Sequence, residues 1–250
     1  MEGLELIADL YRAHARQGPG GPEQTDLALA LTGLDLTTPL QVADIGSGTG
    51  ASALHLARRL NANVTAVDFL PEFLRELETA AGKAGLSQRI QTLAGNMEQL
   101  PFDEDSLDLI WSEGAIYNLG FSRGVNEWRD CLRPGGVLAV SEITWLTDGR
   151  PEAVGRFWEQ AYPEIDTAAN KLRVLEEAGY SPLGYFVLPE SSWLDNFYAP
   201  LEASFEVFLA RHGHSASAEA LVEEHRREIT LYRKYRDYYS YGFYVAKRVD

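Results

Sequence analysis

One short segment constrains this chain more than any other: Val42-Ala43-Asp44-Ile45-Gly46-Ser47-Gly48-Thr49-Gly50, followed by Ala51-Ser52-Ala53-Leu54. An apolar stretch of strand length runs into three alternating glycines and then into a helical pattern. A backbone that turns this tightly, and lets a ligand approach with no Cβ in the way, needs glycine. The helix that opens there adds N–H groups without intrahelical partners, aimed at whatever binds. About twenty residues on, Val64-Thr65-Ala66-Val67-Asp68 reads as a second strand ending in a carboxylate. A carboxylate in that position can accept hydrogen bonds from both hydroxyls of a ribose.

The rest of the chain fits an α/β reading. Short apolar segments at 41–45, 63–67, 90–93, 107–111 and 137–143 alternate with amphipathic ones at 50–60, 71–84 and 121–131. That alternation predicts a parallel sheet with right-handed crossovers. Upstream, Leu4, Ile7 and Tyr11 beside Leu6, Leu10 and His14 predict a short helix within 3–16. Gly18-Pro19-Gly20-Gly21-Pro22 breaks it, and the helical pattern resumes over 23–34. Downstream, 152–162 and 168–178 read as helices and 180–188 as a strand. Two helical stripes follow, one from Leu194 to Leu209 and one from Leu221 to Tyr232, before a last strand at 241–247. Each stripe is too narrow in apolar content to fold without the sheet, so the pair reads as an insertion.

Composition narrows the classes of partner. At 45% hydrophobic and 24% charged residues, the 250-residue chain has enough apolar content for a core. A net charge of −15 opposes phosphate backbones and anionic lipid at long range, and no Lys/Arg run suggests a local exception. Neither nucleic acid nor membrane is expected as a partner. The single cysteine, Cys131, excludes an internal disulfide and a Cys-ligated zinc site. His212-Gly213-His214 is too short a constellation for a metal site, so no metal is expected. The opening residues lack the basic and apolar regions of a signal peptide, and no apolar run approaches the ~20 residues of a membrane span. A cytoplasmic protein is the expectation.

Two nucleoside ligands compete for the glycine-rich turn. Gly46, Gly48 and Ala51, with Asp68 at the correct distance, satisfy the NAD fingerprint. Asp44 speaks against it, because a carboxylate just before the first glycine would lie near a pyrophosphate. Like charges at ~4 Å cost about 1–4 kcal/mol depending on screening. The same carboxylate favours a ligand that presents an ammonium there. S-adenosylmethionine (AdoMet) does, and its sulfur is a sulfonium as well.

The D-x-G-x-G-x-G run resembles the AdoMet-binding loop of the class I methyltransferases, and later landmarks follow that family's order. Asp68 ends the second strand, Gly95-Asn96-Met97-Glu98 follows the third, and Leu107-Asp108-Leu109-Ile110 forms the fourth. Leu132-Arg133-Pro134-Gly135-Gly136 precedes the fifth, as in the branch related to ubiquinone and menaquinone biosynthesis methylases. The resemblance covers roughly 40–145. Ser112-Glu113-Gly114-Ala115 replaces the Asn/Asp-Pro-Pro-aromatic motif of amino-methylating nucleic-acid enzymes. Cys131 lies on the next helix rather than where a cytosine C5 enzyme needs its nucleophile, and one cysteine is too few for an arsenite methylase.

The resemblance implies an α/β three-layer sandwich: a seven-stranded, mainly parallel sheet with an antiparallel last strand. The expected units are a helical cap over 1–39, a Rossmann-like AdoMet-binding core over 40–188, a helical insertion over 189–239 and the last core strand over 240–250. The implied activity is methylation of a small-molecule acceptor, chiefly by in-line alignment and exclusion of water. Cofactor contacts are expected from Asp44, Gly46, Ser47, Gly48 and Gly50 at the loop, from Asp68 at the ribose, from Asn96 and Met97 at the adenine, and from Phe69 and Glu113.

Glu113, Tyr117 and Glu142 are the catalytic candidates, because they follow the fourth and fifth strands at the carboxyl edge where open sheets bind ligands. Each has a plainer alternative: a loop-fixing carboxylate for Glu113, a buried structural carboxylate for Glu142. The C-terminal tyrosines at 232, 235 and 239 repeat at helical spacing and read first as packing. For the 194–209 stripe core packing is the first reading, and the second is that the helical pair forms one wall of the acceptor pocket or a homodimer face. The competing functions are an NAD-dependent oxidoreductase and a non-catalytic AdoMet-binding protein.

Overall fold

The computed structural model describes residues 2–250 of the chain. Seven strands form one sheet: β1 Leu40–Ile45, β2 Ala62–Asp68, β3 Ile90–Ala94, β4 Leu107–Glu113, β5 Leu132–Trp145, β6 Tyr180–Val187 and β7 Tyr239–Arg248. Their order is β3-β2-β1-β4-β5-β7-β6. The first five run parallel, and β7 lies antiparallel between β5 and β6. A two-residue strand, Asp166–Thr167, also pairs alongside the end of β5. The order reverses between β1 and β4, so a crevice opens beyond their carboxyl ends.

The strands pack as their composition demands. Val42, Ala43 and Ile45 of β1 are buried, as are Leu109, Ile110 and Trp111 of β4. Such near-continuous apolar runs belong to parallel strands covered on both faces. One face carries α2 Pro22–Thr32, α3 Ala51–Arg59 and α4 Pro71–Lys83, whose Leu29, Leu56 and Leu77 share a core cluster with Val42, Leu109 and Val137. The other carries α5 Phe121–Glu127 and, after α6 Glu152–Ala161, α7 Ala168–Glu177; Phe121, Val125 and Leu175 pack there on Ile45, Ile110 and Leu138. A third cluster sits over the carboxyl edge. It joins α1 Glu2–Tyr11 to α8 Glu190–Trp193, a five-residue π-helix at Leu194–Tyr198, α9 Ala199–Arg211 and α10 Ala216–Tyr235.

Three elements depart from the periodicity, each through tertiary contact. The first helix stops at Tyr11 rather than running on toward residue 16, because Arg16 and Gln17 are drawn down onto Glu113 and Thr49. The 121–131 stretch splits into α5 and a 3₁₀ turn at Arg129–Cys131. β5 begins at Leu132, through its two glycines, because Leu132 pairs with Leu107 across a register shift. Among the described residues no helix is long and apolar enough to cross a membrane.

Candidate active site

The crevice holds a cavity of about 690 Å³, within the ~300–1,000 Å³ usual for small-molecule sites. Its floor is the glycine-rich turn. Gly46 has φ +73°, and a Cβ there would lie 2.2 Å from the Cβ of Ala115. No other residue fits. Gly50, at φ +92°, does a different job, since a Cβ would lie 2.1 Å from Leu77 Cδ1. It seats α3 against α4 and is not among the residues lining the cavity.

The turn's amides are spent inside the protein. Gly46 and Ser47 N–H donate to the Val67 carbonyl at 2.8 and 3.0 Å, and Gly50 N–H donates to the Ser47 carbonyl at 2.9 Å. Gly48 N–H donates to Asp68 Oδ2 at 2.8 Å, and Thr49 N–H to Gln17 Oε1 at 2.9 Å. A diphosphate cradle needs such N–H groups free. The expected row of unpartnered donors in the turn is therefore absent, for a reason the sequence does not carry: Asp68 and Gln17 fold back over it.

Asp44 lies beneath the turn, buried, and is not among the residues lining the cavity. Ser52 donates to its Oδ2 at 2.6 Å, while Oδ1 has no hydrogen-bond partner. Burial pushes its pKa up to about 7; the Ser52 hydroxyl pulls the other way, Glu113 adds to the rise and Arg16 opposes it. Asp44 thus sits behind Ser52 rather than on the cavity wall, and its field there is strong only when it is ionised.

The neighbouring residues converge as the spacing suggests. Ser47, Gly48, Asp68, Phe69, Asn96, Met97, Glu113 and Tyr117 all line the cavity with Gly46. Asp68 also receives Leu70 N–H at 2.9 Å on Oδ1, and the Phe69 amide acts on the carboxylate as well, so backbone donors orient it. Burial raises its pKa against those backbone hydrogen bonds. Phe69 is 63% exposed, a large apolar ring presented at the cavity rim. The turn at Asn96 and Met97 is fixed by Trp128, whose indole N–H donates to the Met97 carbonyl at 3.1 Å.

Glu113 is committed to the protein. Its carboxylate pairs with Arg16 and accepts from Thr25 Oγ1 at 2.8 Å and Trp111 Nε1 at 2.9 Å. It faces the cavity but serves as the anchor of the segment that covers it. Gln17 Nε2 adds a 3.0 Å bond to Thr49 Oγ1, and Asn196 Nδ2 holds the Gly20 carbonyl at 2.7 Å. Glu142 does not line the cavity. It is fully buried, 3.5 Å from Lys171 Nζ, with its pKa raised by burial to about 7 against the pull of Lys171 and Tyr162. Its structural alternative accounts for what surrounds it.

Sequence reasoning missed Arg16, Gln17, Ser52, Glu224, His225 and Glu228, all of which line the cavity. Arg16 and Gln17 follow a predicted helix with no motif around them, and the α10 residues lie about 160 residues beyond Asp68 in sequence. The tyrosine stripe divides: Tyr232, Tyr235 and Tyr239 are core, and Tyr241 lines the cavity. His14 is bonded to Ser204 at 3.1 Å and His55 to Asp26 at 2.8 Å, both outside the cavity lining. No group of three or more His, Cys, Asp or Glu among the described residues is arranged to hold a metal ion. The lining carries five carboxylates against one guanidinium.

The chain is similar to known proteins. A family model described as "Methyltransferase domain" matches residues 43–140. The chain is 31% identical over 166 residues to the demethylmenaquinone methyltransferase of Mycolicibacterium gilvum, covering 65% of each chain. It is 32% identical over 112 residues to the malonyl-[acyl-carrier protein] O-methyltransferase of Dechloromonas aromatica, covering 44% of this chain and 39% of that one. It thus spans from two fifths to two thirds of these relatives' length. The SAM-dependent methyltransferase from Geobacter sulfurreducens, solved in complex with S-adenosyl-L-homocysteine, superposes with a TM-score of 0.84 at 20% identity over 97% of both chains. Strand order, glycine-rich turn and sequence relatives agree: the chain has the class I, Rossmann-like fold and is similar over residues 43–140 to the methyltransferase domain.

Proposed function

We propose that this protein is an AdoMet-dependent methyltransferase acting on a small molecule, located in the cytoplasm. The observation that carries the reading is the state of the glycine-rich turn: its amides are internally bonded, and the cavity above it is rich in carboxylate. That surface repels a dinucleotide's diphosphate and suits a ligand bearing an ammonium and a sulfonium.

The residues fit AdoMet. Gly46 admits its backbone approach, and Ser52, bonded to the buried Asp44 behind it, suits an ammonium or its water shell. Asp68, its carboxylate oriented by backbone amides, faces the ribose hydroxyls, and Phe69 with Asn96 and Met97 frames the base. Bound AdoMet supplies an activated methyl group on positively charged sulfur. The protein's own part is alignment and exclusion of water, for which well-oriented model systems give about 7–11 kcal/mol. Arg16 and Gln17 keep the cover closed through Glu113 and Thr49. Tyr117, exposed at the cavity wall on the acceptor side, is the remaining candidate for orienting an acceptor.

Calorimetric titration with S-adenosylhomocysteine (AdoHcy) and with NADH tests the reading. AdoHcy is expected to bind and NADH not to. Asp68→Ala is expected to weaken AdoHcy about 10- to 100-fold, from lost hydrogen bonds to an ionised partner at about 1.5–3 kcal/mol. Tight NADH binding, or an unchanged AdoHcy affinity in the variant, defeats it.

A further inference from the structure

Past the donor half, the cavity continues into a chamber that the donor reading leaves unused. Its wall is aromatic: Tyr11, Trp158, Trp193, Phe197 and Tyr241 meet there from four elements and the π-helix. The rings are set by one another. Trp193 is 4.8 Å from Tyr241, edge to face, and stacks at 4.4 Å on Tyr232 behind it. Tyr11 stacks on Phe197 at 6.2 Å. The π-helix, a form found mostly at functional sites, carries Phe197 into the chamber and Tyr198 behind it.

The carboxyl side chains that α10 sends into this chamber are those of Glu224 and Glu228. The basic residues of α10 are engaged elsewhere: Arg226 with Glu206, Arg227 with Glu223, Arg233 with Glu202, and Lys234 over the ring of Tyr235. Among the described residues neither glutamate has an ion-pair partner, and Glu228 accepts one hydrogen bond, from Tyr198 at 2.8 Å. Desolvation raises the pKa of Glu228. A carboxylate enclosed by rings with no cation is unfavourable in the free protein, and both it and the π faces around it attract positive charge. His225 does not offset this, because burial lowers its pKa and keeps it neutral. Its Nε2 is also engaged with the Tyr11 hydroxyl at 3.2 Å, so it is not free to deprotonate a hydroxyl acceptor.

We infer that the acceptor is an amine that arrives as its ammonium: Glu228, with Glu224 one helical turn away, binds it and takes a proton, so that the freed nitrogen lone pair forms the N–CH3 bond as the S–CH3 bond breaks to leave AdoHcy, and Tyr11, Trp193, Phe197 and Tyr241 enclose its substituents. This rests on the methyl-transfer reading above, which separately requires AdoHcy to bind the other half of the cavity.

The probes are benzylamine and its neutral isostere benzyl alcohol, titrated into the protein with and without saturating AdoHcy. The expected result is benzylamine binding at least tenfold tighter than benzyl alcohol. Glu228→Gln is expected to remove at least tenfold of benzylamine affinity, while benzyl alcohol and AdoHcy change less than twofold. Should that variant not fold, Glu224→Gln carries the test, with about a threefold loss confined to the amine. Equal binding of the two probes by the wild type, or equal weakening of both in the variant, overturns the inference. Failure of the wild type to bind AdoHcy overturns the donor reading instead, and the titrations without AdoHcy still decide the amine.

Discussion

Asp44 concentrates the tension of this site in one side chain. Its carboxyl sits buried with a pKa near 7, so the folded protein holds a proton there that the unfolded chain releases near pH 4. The sign follows from linkage: a raised carboxyl pKa gives stability that is complete below the unfolded value and is lost as pH rises through the folded one. Between those limits the loss is about 1.4 kcal/mol per pH unit. Asp44→Asn is therefore expected to lessen the fall in unfolding free energy between pH 5 and pH 8 by about 2–3 kcal/mol, as read by urea titration at both values. An unchanged fall means that Asp44 is ionised throughout. Glu142 titrates in the same range and adds its own slope in both proteins, so the difference between them isolates Asp44.

At the scale of elements, the decisive piece is the stretch between α1 and α2. The proline and glycine residues at 18–22 mark it as a break, and nothing in its own residues announces that it closes over β4. The closure is made by Arg16 on Glu113, both nearly buried, with side chains 13% and 5% exposed. Removing one partner strands the other charge, which for a buried pair costs about 3–5 kcal/mol. Arg16→Met and Glu113→Gln are each expected to raise amide exchange across residues 12–20 and to weaken AdoHcy about tenfold. The double variant is expected to be no worse than the single ones, because both act on one contact. Strictly additive losses would mean that Glu113 touches the ligand on its own account.

For the molecule as a whole, one sheet serves three clusters: two on its faces, and a third over its carboxyl edge that roofs the cavity. Ligand bound between sheet and roof stabilises the entire fold by mass action. AdoHcy at about 100 times its Kd adds about 2.7 kcal/mol, and in a chain of this size each kcal/mol raises Tm by about 2–4 °C. A rise of about 5–10 °C is expected in thermal unfolding, with none for NADH at the same concentration. A rise in only one of two separate transitions would show instead that the roof unfolds apart from the sheet.

The sequence alone determined the parallel sheet, its order of strand and helix, and the gathering of Gly46, Gly48, Asp68, Asn96 and Met97 at the carboxyl edge, where they line one cavity. The reason is that these features are local: hydrophobic period, glycine at a positive φ, and a carboxylate at a strand end each act over a few residues. Only the tertiary structure decided the rest. It put Asp44 and Gly50 behind the turn, tied Glu113 to Arg16 and Glu142 to Lys171, and brought Tyr11, Phe197 and Glu228 together across more than 200 residues of chain. A buried charge is fixed by whichever partner reaches it through space, and that partner leaves no periodic trace in the sequence.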